Sequence, residues 1–225
     1  MSCAENIPNL WYDIDMNTDF GQKVLKIKEW LGTGSVNIFG LPMSGKDTVG
    51  VRLAEMIGGK FLSSGLIIRA NEELTRQHFS DKGDLTPSDV FYDWVLPYFG
   101  KEELKEYPLV LSSIGRWSGE EDKVMETAEK AGHQIKAAVI LNISEADVMS
   151  RWQTVATLKD RGTRYDDEKP EVFQHRIEEF RTKTAPVLLK YRSLGLLIEV
   201  KGDTERDAVF NELIDKLYNF AISHP

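Results

Sequence analysis

The chain has 225 residues, 41% of them hydrophobic, with 17 glycines and 8 prolines, so it can bury a core of its own and is not dominated by disorder. Its 36 acidic against 28 basic side chains leave a net charge of -8, which disfavours nonspecific binding to nucleic acid or anionic membranes and favours small-molecule chemistry. A single cysteine, Cys3, excludes an internal disulfide framework and a multi-thiolate zinc site, the four histidines show no metal-ligand spacing, and no apolar run approaches about 18 residues; the chain reads as soluble, unexported and cytoplasmic.

Taken in order, Phe20, Val24, Leu25, Ile27 and Leu31 form a helical stripe over 19–31 that Gly32-Thr33-Gly34 ends, so residues 1–34 read as an N-terminal extension carrying one helix. Residues 35–39 predict a strand, 40–45 a glycine-bearing turn, and 46–56 a helix with Val49, Leu53 and Met56 inward. Further strands are expected at 60–63, 109–112, 137–143 and 196–200, and 137–143 is apolar on both faces, as a buried parallel strand should be. Helical patterning runs from 64 to 76 and over about 84–99, 119–132, 145–158, 170–193 and 205–222. Strands alternating with helices predict an α/β fold, a doubly wound parallel sheet with its ligand at the carboxyl ends of the strands. No linker divides residues 35–225.

Gly40-Leu41-Pro42-Met43-Ser44-Gly45-Lys46-Asp47-Thr48 has the two glycines and the lysine of a phosphate-binding loop, in the strand-to-helix context the motif needs. Glycines let backbone N–H groups converge on an oxyanion, the new helix directs its positive end there, and Lys46 adds a mobile charge for the β and γ phosphates. Asp47 stands where many such loops carry the Ser or Thr that holds Mg²⁺, and Thr48 follows it. Two roles are open for Asp47: a carboxylate facing the metal through a water, because Mg²⁺ dehydrates reluctantly, or an acid in the first helical turn that favours the dipole.

From this loop onward the chain resembles the nucleoside monophosphate kinases, adenylate kinase above all, over roughly residues 35–220. Ser63-Ser64-Gly65-Leu66-Ile67-Ile68-Arg69 looks like the segment in which a hydroxyl and an arginine hold the acceptor monophosphate; Ser64 and Arg69 take those roles by resemblance. Gly83-Asp84-Leu85-Thr86-Pro87-Ser88-Asp89-Val90 is similar to the segment beside the acceptor base. Leu111-Ser112-Ser113-Ile114-Gly115-Arg116 matches the arginine that grips the acceptor phosphate, Arg116, but puts Ser112 where the family has an aspartate that helps organise magnesium. Arg151 matches the arginine packed on the donor adenine, and a planar guanidinium can stack there. Arg164-Tyr165-Asp166-Asp167, then Arg176, Thr184-Ala185-Pro186, Tyr191 and Gly195, follow the family's run whose two arginines, here Arg164 and Arg176, flank the transferring group. Arg161 is a further cation of the same loop.

The resemblance implies a P-loop three-layer fold with a central five-stranded parallel sheet, a monophosphate-binding helical segment at about 64–99 and a short, zinc-free lid at about 155–168. It implies ATP and a nucleoside monophosphate as partners, Mg²⁺ as cofactor and a monomeric enzyme. Pro170 can open a helix as its first residue and absorb the extra residue between Arg164 and Arg176 in the loop. Without any family, collecting Lys46, Arg69, Arg116, Arg151, Arg164 and Arg176 in one cleft suits a reaction that gathers negative charge. A module of the same fold without transfer chemistry, and a kinase for a non-nucleotide metabolite, are the other readings. For the base, Glu120 occupies the position of the family's adenine-reading glutamine: an ionised carboxylate only accepts, which suits guanine's adjacent donors. As an alternative, Glu120 and Glu121 are first-turn helix acids turned to solvent. AMP is the expected acceptor and GMP the alternative.

Overall fold

Residues 17–76, 82–158 and 169–225 are described by the computed structural model, without the side chains of 156–158. Helix α1 (Asp19–Leu31) is capped by Thr18, whose hydroxyl accepts from the Gly21 amide at 3.1 Å, and ends at Gly32. Strand β1 (Ser35–Gly40) feeds the turn into α2 (Lys46–Ile57), followed by β2 (Lys60–Ser63) and α3 (Ser64–Thr75). Then come α4 (Ser88–Trp94), β3 (Leu109–Ser112), α5 (Glu120–Lys130), β4 (Ile135–Asn142) and α6 (Glu145–Leu158). The chain closes with α7 (Pro170–Glu179), α8 (Ala185–Ser193), β5 (Leu197–Lys201) and α9 (Arg206–Ser223).

The five strands form one parallel sheet in the order β2-β3-β1-β4-β5, which makes β1 central and buries all six of its residues. Period-two alternation divides the strand side chains between two cores. Val36 and Ile38 of β1, Val110 of β3 and Val139 of β4 join α1, α2 and α9 on one face. Phe39, Leu109, Leu111 and Ile140 meet residues of α3 to α8 on the other. This is the expected three-layer α/β sandwich.

The helix of the N-terminal extension packs into the domain: Val24, Ile27 and Leu31 are at most 1% exposed and share a core with α2 and α9, each burial stabilising by about 1.5–3 kcal/mol. Two expectations change. The helix expected at about 84–99 is shorter, because Pro87 stands as its cap and Pro97 turns residues Leu96–Gly100 into a 3₁₀ segment. The helix expected over 170–193 does begin at Pro170 but passes through a π turn, Phe180–Thr184, before α8. Pro186 has no N–H to give back to the preceding turn, which removes one regular helical bond at that point.

Candidate active site

β1 delivers the chain to the sheet's carboxyl edge at Gly40, and the loop reverses it there into α2. A Cβ at residue 40 would stand 2.4 Å from Ser44 Oγ and 3.1 Å from its Cβ, so glycine keeps the space that the Ser44 side chain takes. Met43, at φ 62°, and Gly45, at φ 89°, adopt left-handed conformations of the kind that turn successive amides inward. Gly45 is the N-cap of α2, which places Lys46 and Asp47 on its first turn with the helix's positive end at the loop. Ser44 Oγ is buried and has no hydrogen-bond partner, whereas Thr48 is exposed.

Lys46, Asp47, Ser64, Arg69, Arg116, Glu120 and Arg176 line one cleft above this edge. Arg69 folds back along α3 until its Nη1 lies 3.1 Å from where a Cβ of Gly65 would be, so Gly65 keeps the space for its guanidinium. Arg116 follows the end of β3. Burial in the cleft pushes its guanidinium down to about 10, and the neighbouring Arg176 adds to the effect, while Asp47, Glu120 and Glu179 oppose it. It stays charged at neutral pH. Arg116 Nε is buried without a hydrogen-bond partner, so an anion entering the pocket it shares with Arg176 would meet an unused donor.

Two expected contacts are differently employed. The Ser64 hydroxyl donates to the Ser113 carbonyl at 2.8 Å, which uses its one proton on the end of β3 and leaves none for a phosphate. Glu120 is neither turned to solvent nor open to a base: it is 2% exposed. Its Oε2 accepts from the amides of Arg116 and Trp117 at 2.7 and 3.0 Å, and its Oε1 from the Ser88 hydroxyl at 2.7 Å. Glu120 therefore fixes the turn that carries Arg116.

Glu179 and Trp117 do not stand out in the sequence, because the partners that place them in this wall, Leu85 and Thr86, are distant in the chain. Glu179 accepts from Leu85 N at 3.1 Å and from Lys183 Nζ at 2.6 Å, tying residues 82–87 to α7. Gly83, at φ 80°, packs where a Cβ would meet Arg176 Cγ at 2.9 Å. Trp117 Nε1 donates to the Thr86 carbonyl at 3.1 Å, and Lys183 Nζ lies 4.0 Å from the centre of a Trp117 ring. Thr184, inside the π turn, donates to the Arg116 carbonyl at 3.2 Å.

Arg151 sits apart from this wall. Its Nη2 donates to the Gly202 carbonyl at 2.7 Å and its Nη1 reaches toward the Met43 and Ser44 carbonyls at 3.5 and 3.4 Å, joining the phosphate loop to the end of β5. Such bonds lie in the guanidinium plane and do not consume its faces. Arg164 and Arg161, with nearly all of the expected lid, lie outside the described residues.

Two groups can be tested for a metal. Asp47 offers a hard oxygen donor on the first turn after Lys46, and Ser112 Oγ donates to its Oδ1 at 2.5 Å; one carboxylate and a hydroxyl beside a phosphate loop fit Mg²⁺, which takes few protein ligands and keeps waters. Asp84, His175 and Glu179 also bring ligand atoms within 4.8 Å of one another. There the His175 Nε2 to Asp84 contact at 2.8 Å and the bonds of Glu179 to Leu85 and Lys183 account for the arrangement without an ion.

A five-stranded parallel sheet of this order, with a glycine-bearing loop between its central strand and the next helix, defines the P-loop nucleoside monophosphate kinase type of fold. No family model matches the chain. It is 25% identical over 188 residues to an adenylate kinase of Micrococcus luteus, covering 81% of this chain and 89% of that one. It is 27% identical to an adenylate kinase of Renibacterium salmoninarum, covering 79% and 92%, and 27% identical to one of Thermus thermophilus, covering 80% and 95%. The chain is a divergent relative of the adenylate kinases.

Proposed function

We propose that the chain moves the γ-phosphoryl group of ATP to a nucleoside monophosphate, AMP first, as a monomeric cytoplasmic enzyme. The observation that carries this reading is the convergence of Lys46, Arg69, Arg116 and Arg176 on one cleft of a protein whose net charge is -8. Phosphoryl transfer needs little covalent help from a protein; it needs in-line placement of donor and acceptor and fixed cations where charge spreads over the equatorial oxygens.

In this reading the amides of 40–46, with the Ser44 hydroxyl and Thr48, cradle the donor phosphates, and Lys46 reaches the β and γ oxygens. Arg151 supports the donor base. Arg69 and Arg116 hold the acceptor phosphate, and Arg176 neutralises charge on the transferring group. Arg164 joins it on the strength of the sequence motif alone. Mg²⁺ accompanying ATP would be held by the donor phosphates, with Asp47 through a water, and would neutralise charge between the β and γ oxygens.

The bonds of Glu120 to Arg116, Trp117 and Ser88 weaken the argument for guanine, which rested on an available carboxylate. The relatives are named adenylate kinases, which favours AMP. A coupled assay of ADP formation across AMP, GMP, CMP, UMP and the deoxy forms tests the reading. Turnover greatest with AMP supports it; ATP binding without transfer to any of them would leave a binding module.

A further inference from the structure

In phosphate-loop nucleotide hydrolases the metal is held by a hydroxyl from the loop and a carboxylate from a neighbouring strand. This chain has the same two groups in the opposite places. The carboxylate, Asp47, follows the loop lysine on α2, and the hydroxyl, Ser112, ends β3, the strand paired directly with β1. Ser112 is 1% exposed and its register partners are Ile38 and Ser63, so its position is set by the sheet. Its Oγ donates to Asp47 Oδ1 at 2.5 Å. A neutral hydroxyl fixes a carboxylate without cancelling its charge, whereas a second carboxylate at this distance would repel the first and favour its protonation.

We propose that Asp47 and Ser112 are a reciprocal exchange: the metal-facing carboxylate has moved from strand to loop, and Ser112 is the positioning residue that orients it. This rests on the kinase reading above. It explains why a serine at position 112 and an acid at position 47 belong together.

The test is calorimetric and independent of turnover. The affinity for ATP is measured with Mg²⁺ and again with EDTA, for the wild type, Asp47→Ser, Ser112→Asp and the double exchange, with thermal melts to verify folding. The wild type should prefer the metal complex, and Asp47→Ser should lose that preference by about tenfold, because the carboxylate that follows the loop lysine is gone from the ion's water shell. Ser112→Asp alone should weaken nucleotide binding, and the double exchange should restore the preference to within about threefold, as coupled neighbours do. Should Ser112→Asp fail to fold, Ser112→Ala and Ser112→Thr take its place: alanine should lower the Mg²⁺ preference while leaving EDTA affinity alone, and threonine should retain it. An unchanged preference in Asp47→Ser, a double exchange that merely sums the single losses, or equal losses with and without Mg²⁺ in Ser112→Ala would overturn the proposal. ATP bound without any metal preference in the wild type overturns it too, yet spares the nucleotide site; no ATP binding at all overturns the kinase reading with it.

Discussion

The phosphate loop takes its shape from backbone conformation, with Met43 and Gly45 in left-handed geometry between β1 and α2, whereas the opposite wall is shaped by side chains that bond one another. There Glu120 holds the amides of Arg116 and Trp117, Glu179 holds Leu85 N, and Ser64 holds the Ser113 carbonyl. A loop built from backbone does not depend on side-chain bonds for its shape. A wall built from side chains commits some of them to structure, so a residue in a matching position need not touch substrate. Charge divides along the same line: the wall crowds Arg116 against Arg176, and Asp47, Glu120 and Glu179 offset part of that repulsion.

The largest expected effect lies in the loop. Lys46→Met should lower kcat/KM by at least about a hundredfold, roughly 2.7 kcal/mol of transition-state stabilisation, with an unchanged melt; unchanged turnover would remove the functional loop from the comparison. Next, Arg116→Ala should raise KM for the monophosphate by about 10- to 100-fold and that for ATP by no more than about threefold. The reverse split in steady-state kinetics would exchange the two sides of the cleft. Gly40→Ala comes third: a Cβ 2.4 Å from Ser44 Oγ displaces the Ser44 side chain from its buried place in the loop, at about 1–3 kcal/mol of stability, read as a lower Tm and weaker ATP binding together. Glu120→Ala should destabilise by about 1–3 kcal/mol through the two amides it abandons, while Glu120→Gln, which can still accept from both, should leave the ratio of AMP to GMP turnover unmoved. A ratio that shifts toward AMP in Glu120→Gln would make it a base reader after all. The smallest effect is Ser64→Ala, about 1 kcal/mol of stability with no change in monophosphate KM.

Local rules read the scaffold well. Residues 19–31, 60–63 and 109–112 are elements with the bounds their patterns indicate, because Gly32, Gly58-Gly59 and Pro108 mark ends that depend on nothing beyond the segment. The loop is legible for the same reason: glycine, lysine and helix start are contiguous. What sequence patterning misses is set across long chain separations. Ser88 meets Glu120, Leu85 meets Glu179 and Ser112 meets Asp47, and no local periodicity records any of those pairs. Matching Ser64 and Glu120 to a motif located them in the cleft but could not say which way their oxygens were already engaged. The proline effects at residues 87, 97 and 186 were within reach of local rules, yet the apolar spacing around each favoured an unbroken helix.

The π turn at Phe180–Thr184 has a bearing on which changes of length the protein can tolerate. A widened turn adds about one residue's rotation, near 100° at 3.6 residues per turn, between the helices it joins. It lets α7 aim Arg176 and Glu179 at the cleft while α8 independently aims Val187, Leu188 and Tyr191 into the core. Removing any one residue from 180–184 would swing one set past the other, even if every side chain that contacts a ligand were kept. Over these five positions the gene is constrained by phase as well as by composition: a substitution there changes one contact, but a single-codon deletion misaligns two helices.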